Sequence, residues 1–187
     1  MPNLHPRDCC KPLDTTLNWY ALTVKPRHEA VAAFSLRQKG LEDFSPTYCA
    51  RRRWSDRIKE VELNLFPGYI FCRFSYAQRL QVLNTPQVLS IVGFGKTMAP
   101  LEEAEIMMVR AIVVSGRPAR PWPYLKVGQQ VRIENGCLAG LTGTLVRERD
   151  VSRVVVSVDL LQRSVAVEID RDAIGSLKPP QYSPCHL

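Results

Sequence analysis

Six cysteines and three histidines are the side chains most able to hold a metal or attack a substrate. Cys9, Cys10, Cys49, Cys72, Cys137 and Cys185 form no Cys-x-x-Cys pair, so neither a zinc ribbon nor a thioredoxin-type centre is written into the sequence. Cys9-Cys10 and Cys185-His186 stand at opposite ends of the chain. That spacing fits no familiar tetrahedral site, and both pairs read as unconstrained thiols in the tails. Of the histidines, His5 and His186 are near the termini, and only His28 is further inside. There is no Gly-x-Ser-x-Gly elbow, no phosphate-cradling glycine loop and no His-Glu-x-x-His. The expectation is a chain that is not an enzyme and that carries no cofactor and no metal.

Residues suited to contact are better represented. Arg51-Arg52-Arg53-Trp54, with Arg57 and Lys59, reads either as a solvated hairpin tip or as a contact for nucleic-acid phosphates, with Trp54 available to stack on an unpaired base. Arginine serves phosphate and guanine alike, so residue type does not separate positioning from sequence reading. In Leu65-Phe-Pro-Gly-Tyr-Ile-Phe-Cys-Arg-Phe74, alternation puts Tyr69, Phe71 and Arg73 on one strand face and Ile70, Cys72 and Phe74 on the other. Such a strand is either buried on both sides or leaves an aromatic face for docking. From Val131 to Leu145, Gly136, Gly140 and Gly143 allow positive φ and close packing, as a turn in any small barrel requires. Asp159-Leu-Leu-Gln-Arg163 sets two leucines in a turn, which marks Leu160, Leu161 and Arg163 as a partner-binding loop.

The elements that must position these residues fall into two halves. The 187 residues suit one or two domains, and 25 Lys+Arg against 18 Asp+Glu leave +7, a balance that favours an acidic partner such as a polynucleotide. Hydrophobic residues make up 45%, which argues against wholesale disorder. Apolar runs reach about four residues, far from the ~18 of a membrane span, and no secretory signal opens the chain, so a cytoplasmic protein without membrane attachment is expected. Residues 1–17 read as a disordered leader. Trp19 to Val24 reads as a strand, His28 to Lys39 as a helix stopped by Gly40, and Phe44 to Arg53 and Val61 to Phe74 as strands. Tyr76 to Leu83 reads as a short helix, Val88 to Val92 as a strand, and Leu101 to Val114 as a helix with Ile106, Val109 and Val113 on one side. The order β-α-β-β-α-β-α over 18–115 implies an α+β sandwich with an antiparallel sheet. Pro118, Pro121 and Pro123 make 116–124 an extended linker. Five short β-branched strands over 125–180 imply a small SH3-like β-barrel in isolation and in the full chain, followed by a tail at 181–187.

The run from Val131 to Leu145 resembles the KOW motif, and Phe66-Pro67-Gly68-Tyr69 resembles a strand of NusG N-terminal domains. With Trp19-Tyr20, the proline-containing linker and Val156-Ser-Val158, the resemblance runs from Trp19 to Pro179. The chain is identified as a member of the NusG family of transcription elongation and antitermination factors. That implies binding to RNA polymerase at the clamp helices of its β′ subunit, through Phe66, Tyr69 and Phe71 with Ile106 and Val109. It also implies that the hairpin carrying Arg51, Arg52, Arg53, Trp54, Arg57 and Lys59 faces upstream or non-template DNA. In the family the pair matching Leu160-Leu161 contacts a small-subunit ribosomal protein or the termination factor Rho. Leu161-Gln162 departs from the aromatic-Gly of housekeeping members, which points to a specialised paralogue and away from Rho. A monomer is expected. The rival reading is a KOW-type RNA-binding or ribosome-associated protein, for which the barrel and the basic charge suffice.

Overall fold

The computed structural model describes residues 16–53, 58–95, 97–124, 128–148, 151–170 and 173–176. Trp54, Arg57, all but two residues of the expected leader, and the tail lie outside the described residues, and for Arg51, Arg52 and Arg53 only the strand backbone is described. In chain order the elements begin β1 (Asn18–Val24), α1 (Glu29–Gln38), β2 (Glu42–Phe44), β3 (Thr47–Arg53), β4 (Ile58–Asn64), β5 (Tyr69–Phe74) and α2 (Arg79–Leu83). There follow β6 (Val88–Ile91), β7 (Gly93–Phe94), β8 (Thr97–Met98), β9 (Pro100–Leu101), α3 (Glu103–Val114) and β10 (Ala119–Pro123). The last are β11 (Gln129–Ile133), β12 (Thr142–Glu148), β13 (Val151–Val158), β14 (Arg163–Glu168) and β15 (Ile174–Ser176). They form two compact units, Met1–Ser45 with Pro67–Leu101, and Pro46–Phe66 with Glu102–Leu187.

In the first unit the sheet order is β2-β5-β1-β6, with β9 also paired to β1, and every pairing is antiparallel. Alternation works as expected on one face. Tyr20, Leu22 and Val24 of β1 meet Ile70, Cys72 and Phe74 of β5, and α1 adds Ala32 and Leu36 while α2 adds Val82. These residues form the core, with the Tyr20 and Phe74 rings 4.6 Å apart between centroids. Burying such side chains contributes about 1.5–3 kcal/mol each, which fixes the register of β5 on β1.

The second unit holds the β3–β4 hairpin, α3 and a six-stranded antiparallel sheet of order β10-β14-β13-β12-β11-β15. Val131, Ile133, Val154, Val156, Val158, Val165 and Val167 are buried in it. Helix α3 has Glu103 and Glu105 in its first turn, where the helix dipole favours negative charge.

Several expectations change. The two long strands drawn over 44–53 and 61–74 each break, at Ser45-Pro46 and at Leu65 to Gly68, because Pro46 and Pro67 lack an N–H and Gly68 takes φ +83°. Those breaks separate the hairpin from the sheet of β2 and β5. Helix α3 buries Ile106, Val109 and Ile112, so Ile112 replaces Val113 on its inner side. The stretch read as a linker contains strand β10, which gives the second sheet a sixth member. Pro118 accepts from the Glu168 N–H at 3.1 Å, so alternate residues Arg120 and Trp122 turn their backbone towards β14. Pro121 and Pro123 then face outward, where a missing donor costs nothing. A proline-rich run can therefore be a strand, provided it is an edge strand.

Candidate functional site

The second face of β5 carries the residues expected to dock. Register pairs Trp19 with Arg73, Ala21 with Phe71 and Thr23 with Tyr69, and Phe44 stacks beside Phe71 at 6.1 Å between ring centroids. Phe71 and Ala21 are 0% exposed and Trp19 4%, while Tyr69, Thr23 and Arg73 are half-buried. Arg73 lies 3.8 Å from Glu42 across the pairing with β2. Phe66, Ile106 and Val109 are buried as well. The expectation of an open aromatic face is corrected on this point: of Phe66, Tyr69, Phe71, Ile106 and Val109, Tyr69 alone reaches solvent. Alternation tells which side chains share a face and is silent on what covers it, and a sheet covered on both faces is apolar on both.

Tyr69 is aimed by the turn before it. The Gly68 N–H donates to Glu29 Oε1 at 2.9 Å, and the Val24 N–H donates to the Gly68 carbonyl at 2.9 Å. Glu29 is buried in the first turn of α1, where the helix dipole steadies its charge. The carboxylate and the Gly68 carbonyl together tie α1, the end of β1 and the start of β5. Behind Tyr69, the Cys72 thiol is pushed up to about 12, first by burial and then by the charges of Asp43 and Glu42, so it stays protonated and inert.

In the hairpin, β3–β4 register places Arg51 opposite Glu60, Arg52 opposite Lys59 and Arg53 opposite Ile58. A cation directly across from a cation destabilises a ribbon until an anion approaches, which suits a phosphate contact. Lys59 is exposed, and at the base the Thr47 hydroxyl donates to Glu62 Oε1 at 2.5 Å.

The glycine-rich connection between β11 and β12 is a folded turn. Gly136 and Gly140 both take φ +90°, and the Gly140 N–H donates to the Ile133 carbonyl at 2.7 Å. Gly143 serves close packing instead, since a Cβ there would lie 2.6 Å from both the Val155 carbonyl oxygen and Val154 Cγ1. The loop 159–163 differs from expectation. Leu161 is buried at 7% exposure, Leu160 is half-buried and Arg163 is exposed, so the leucine pair is not presented together. Gln162 takes the left-handed conformation at φ +50° and returns its side-chain amide to the Asp159 carbonyl at 2.8 Å. The Asp159 N–H points to Glu105 Oε1 at 3.4 Å, and the Tyr124 hydroxyl donates to Asp159 Oδ1 at 3.0 Å. Burial pushes the Glu105 carboxyl up, aided by the charges of Asp159 and Glu102 and opposed by its backbone hydrogen bonds.

Among the described residues no group of three or more His, Cys, Asp or Glu could hold a metal, and no helix is long and apolar enough to cross a membrane. Comparison with known proteins decides the family. The sequence model described as "Transcription termination factor nusG" matches residues 17–110, about half of the chain. The chain belongs to the NusG family. The transcription termination/antitermination protein NusG of Buchnera aphidicola is 32% identical over 169 residues, covering 81% of this chain and 92% of that one. Its counterpart in Lactococcus lactis is 30% identical over 156 residues, covering 80% and 83%. A solved structure titled "Domain interaction in Thermotoga maritima NusG" aligns with a TM-score of 0.51 at 19% identity, covering 87% of this chain and 98% of that one, which supports the shared fold.

This NusG-family chain is a transcription termination/antitermination factor. The matched segment contains the whole β5 face, the hairpin and most of α3, and it ends before β10. Sequence reasoning passed over Glu29, Arg120 and Trp122. An acid in the first turn of a helix was the available sign for Glu29. For Arg120 and Trp122 it was their two-residue spacing, which is strand spacing inside a stretch read as a linker.

Proposed function

We propose that this NusG-family factor binds RNA polymerase at the β′ clamp helices through the second face of its first sheet, and that it does so without catalysis of its own. The observation that best supports this is the family match over 17–110, a range that includes Phe66, Tyr69, Phe71, Ile106 and Val109. Tyr69 makes the direct contact, with Thr23 opposite it in the register, while Phe71 and Phe44 stack beside each other on the same β5 face. One reachable ring among buried aromatics is how a few residues come to dominate an interface. Phe66, Ile106 and Val109 act from inside by holding their elements in place.

The hairpin lies along upstream or non-template DNA, with Arg51, Arg52, Arg53 and Lys59 against phosphates. Binding of this kind promotes elongation only if the unpaused polymerase is preferred over the paused one, which is a population shift. The functional division is 18–115 for polymerase and 125–180 for a second partner. There the six-stranded sheet forms a KOW-type barrel, with Leu160 and Arg163 as its reachable loop residues. A small-subunit ribosomal protein suits that loop better than Rho, because Gln162 stands where a housekeeping member has glycine. The factor acts as a cytoplasmic monomer.

Tyr69→Ala tests the polymerase contact. Loss of a central tyrosine costs about 2 kcal/mol, on the order of thirtyfold in affinity for a β′ clamp-helix fragment, with the fold retained by circular dichroism. Readthrough of a terminator with purified components is expected to fall in parallel. Full binding by a folded Tyr69→Ala protein refutes the assignment.

A further inference from the structure

The stretch 116–124, whose prolines imply an extended linker, instead supplies strand β10 at the edge of the six-stranded sheet. The two sides of its pairing with β14 are unlike. In β14, Ser164, Val165, Ala166 and Val167 are buried, whereas none of the five side chains of β10 is. The contacts that pin β10 at either end are polar and lie at the surface. Arg117 Nη2 donates to Asp170 Oδ2 at 2.8 Å, with the Asp170 side chain largely exposed, and the Tyr124 hydroxyl donates to Asp159 Oδ1 at 3.0 Å. Exposed contacts of that kind hold a segment weakly. Gly116 precedes the strand at φ +64°, where the chain turns without side-chain strain.

Backbone direction shows what β10 covers. The Glu168 N–H donates to the Pro118 carbonyl at 3.1 Å, and the Ile169 N–H donates to the Ser152 carbonyl at 3.1 Å. Amides from Ser164 to Ile169 therefore alternate. Those of Ser164, Ala166 and Glu168 turn to β10, while those of Val165, Val167 and Ile169 turn to β13. Without β10 the first three would line an open strand edge, the kind of template on which another strand pairs. Pro118, Pro121 and Pro123 keep their segment extended whether it is bound or released. It can then leave and return without refolding.

We propose that β10 is a detachable strap: it masks the β14 edge, and an extended polypeptide segment of a partner protein replaces it there. Bound, 116–124 holds a sixth strand; released, it is the linker its prolines imply. The strap also specifies its competitor. A replacing strand pairs by backbone with Ser164, Ala166 and Glu168, sets an aromatic ring where Trp122 is half-buried, and brings a cation to Asp170. The inference deepens the reading of 125–180 as the seat of a second partner. It rests on that reading for the partner alone, and the strap stands without it.

Hydrogen exchange of the full chain, read amide by amide by NMR, tests the strap. Ser164, Ala166 and Glu168 are expected to exchange about 100-fold faster than Val165, Val167 and Ile169, because strap release opens the first set alone. Asp170→Asn removes one pin and is expected to speed the first set about threefold further. Equal protection of the two sets overturns the strap. The edge is tested with a synthetic peptide of residues 116–124, titrated by NMR into the full chain and into Arg120→Pro, which loses the N–H facing Ala166. The variant is expected to bind the peptide in the millimolar range, about the effective concentration of a short tether. Its affinity is expected to be about fivefold above that of the unaltered chain, whose own strap competes. Shifts are expected at Ser164, Ala166 and Glu168. Equal affinity for both chains, or no binding to a folded Arg120→Pro protein, overturns the edge as a partner site. If Arg120→Pro does not fold, Asp170→Asn takes its place in the titration. A dimer of the unaltered chain held by exchanged β10 strands, detected by light scattering, makes a second copy the occupant and overturns the foreign partner.

Discussion

Strands β5 and β10 sit at the two extremes a sheet offers. β5 lies between β2 and β1 with both faces covered, and four of its six side chains are buried. β10 lies at an edge, carries three exposed residues in five, and has prolines along its outer side. The aromatic content of β5 belongs mostly to the interior, and the surface it leaves for a partner is one ring. The plainer β10 keeps Arg120 at the surface, stacked over a half-buried Trp122. Apolar richness therefore marks what holds this molecule together, and the contact surfaces are the places where a polar or aromatic tip escapes that packing.

The sharpest way to break the comparison is truncation at equivalent aromatics. Phe71→Ala is expected to cost about 3–5 kcal/mol in urea denaturation, because it opens a cavity in a strand closed on both sides. Trp122→Ala at the edge is expected to cost no more than about 1 kcal/mol by the same measurement. Equal losses would mean that β10 is as deeply packed as β5. Next in size is Glu29→Ala, which strands the Gly68 N–H and is expected to destabilise by about 1–3 kcal/mol. Glu29→Gln keeps an acceptor and is expected to recover more than half of that loss. Cysteine reactivity gives a third contrast. In the native protein Cys49 and Cys137 are exposed and are expected to titrate with a thiol reagent within minutes, while Cys72 of β5 does not react until the protein unfolds.

The smallest expected effect is one of pH. The Glu105 carboxyl is raised in the folded protein, so the folded chain holds that proton more tightly than the unfolded chain. Its contribution is therefore favourable at low pH and is lost as pH rises from the ordinary glutamate range through the raised value. Glu105→Gln is expected to raise Tm at pH 7 by about 1–2 °C and to flatten its change between pH 4 and 7, read by thermal melts across that range.

Much of this was legible in the sequence where a local rule has one outcome. Strand β1, helix α1 and the turn at Gly136 and Gly140 follow from β-branched runs, helical spacing and positive φ. The faces of β5 were legible too, but not their covering, since alternation is the same whether a face is packed or bare. Strand β10 was hidden because proline argues against strands in general, and its exception depends on an edge position that only the sheet order reveals. Leu160 and Leu161 looked alike in the sequence. They separate because residues 159–161 form a 3-10 turn, in which successive side chains point about 120° apart, so that Leu161 is buried while Leu160 is half-buried.

The tie between Glu29 and Gly68 has a mechanical meaning. A pull on the Pro67-Gly68 corner cannot be relieved locally, because loosening it would orphan a backbone donor and take a hydrogen bond from a buried acid in the same motion. Helix and corner must then travel as one piece. Tyr69 rides on a stiff mount, and a partner meets it already aimed.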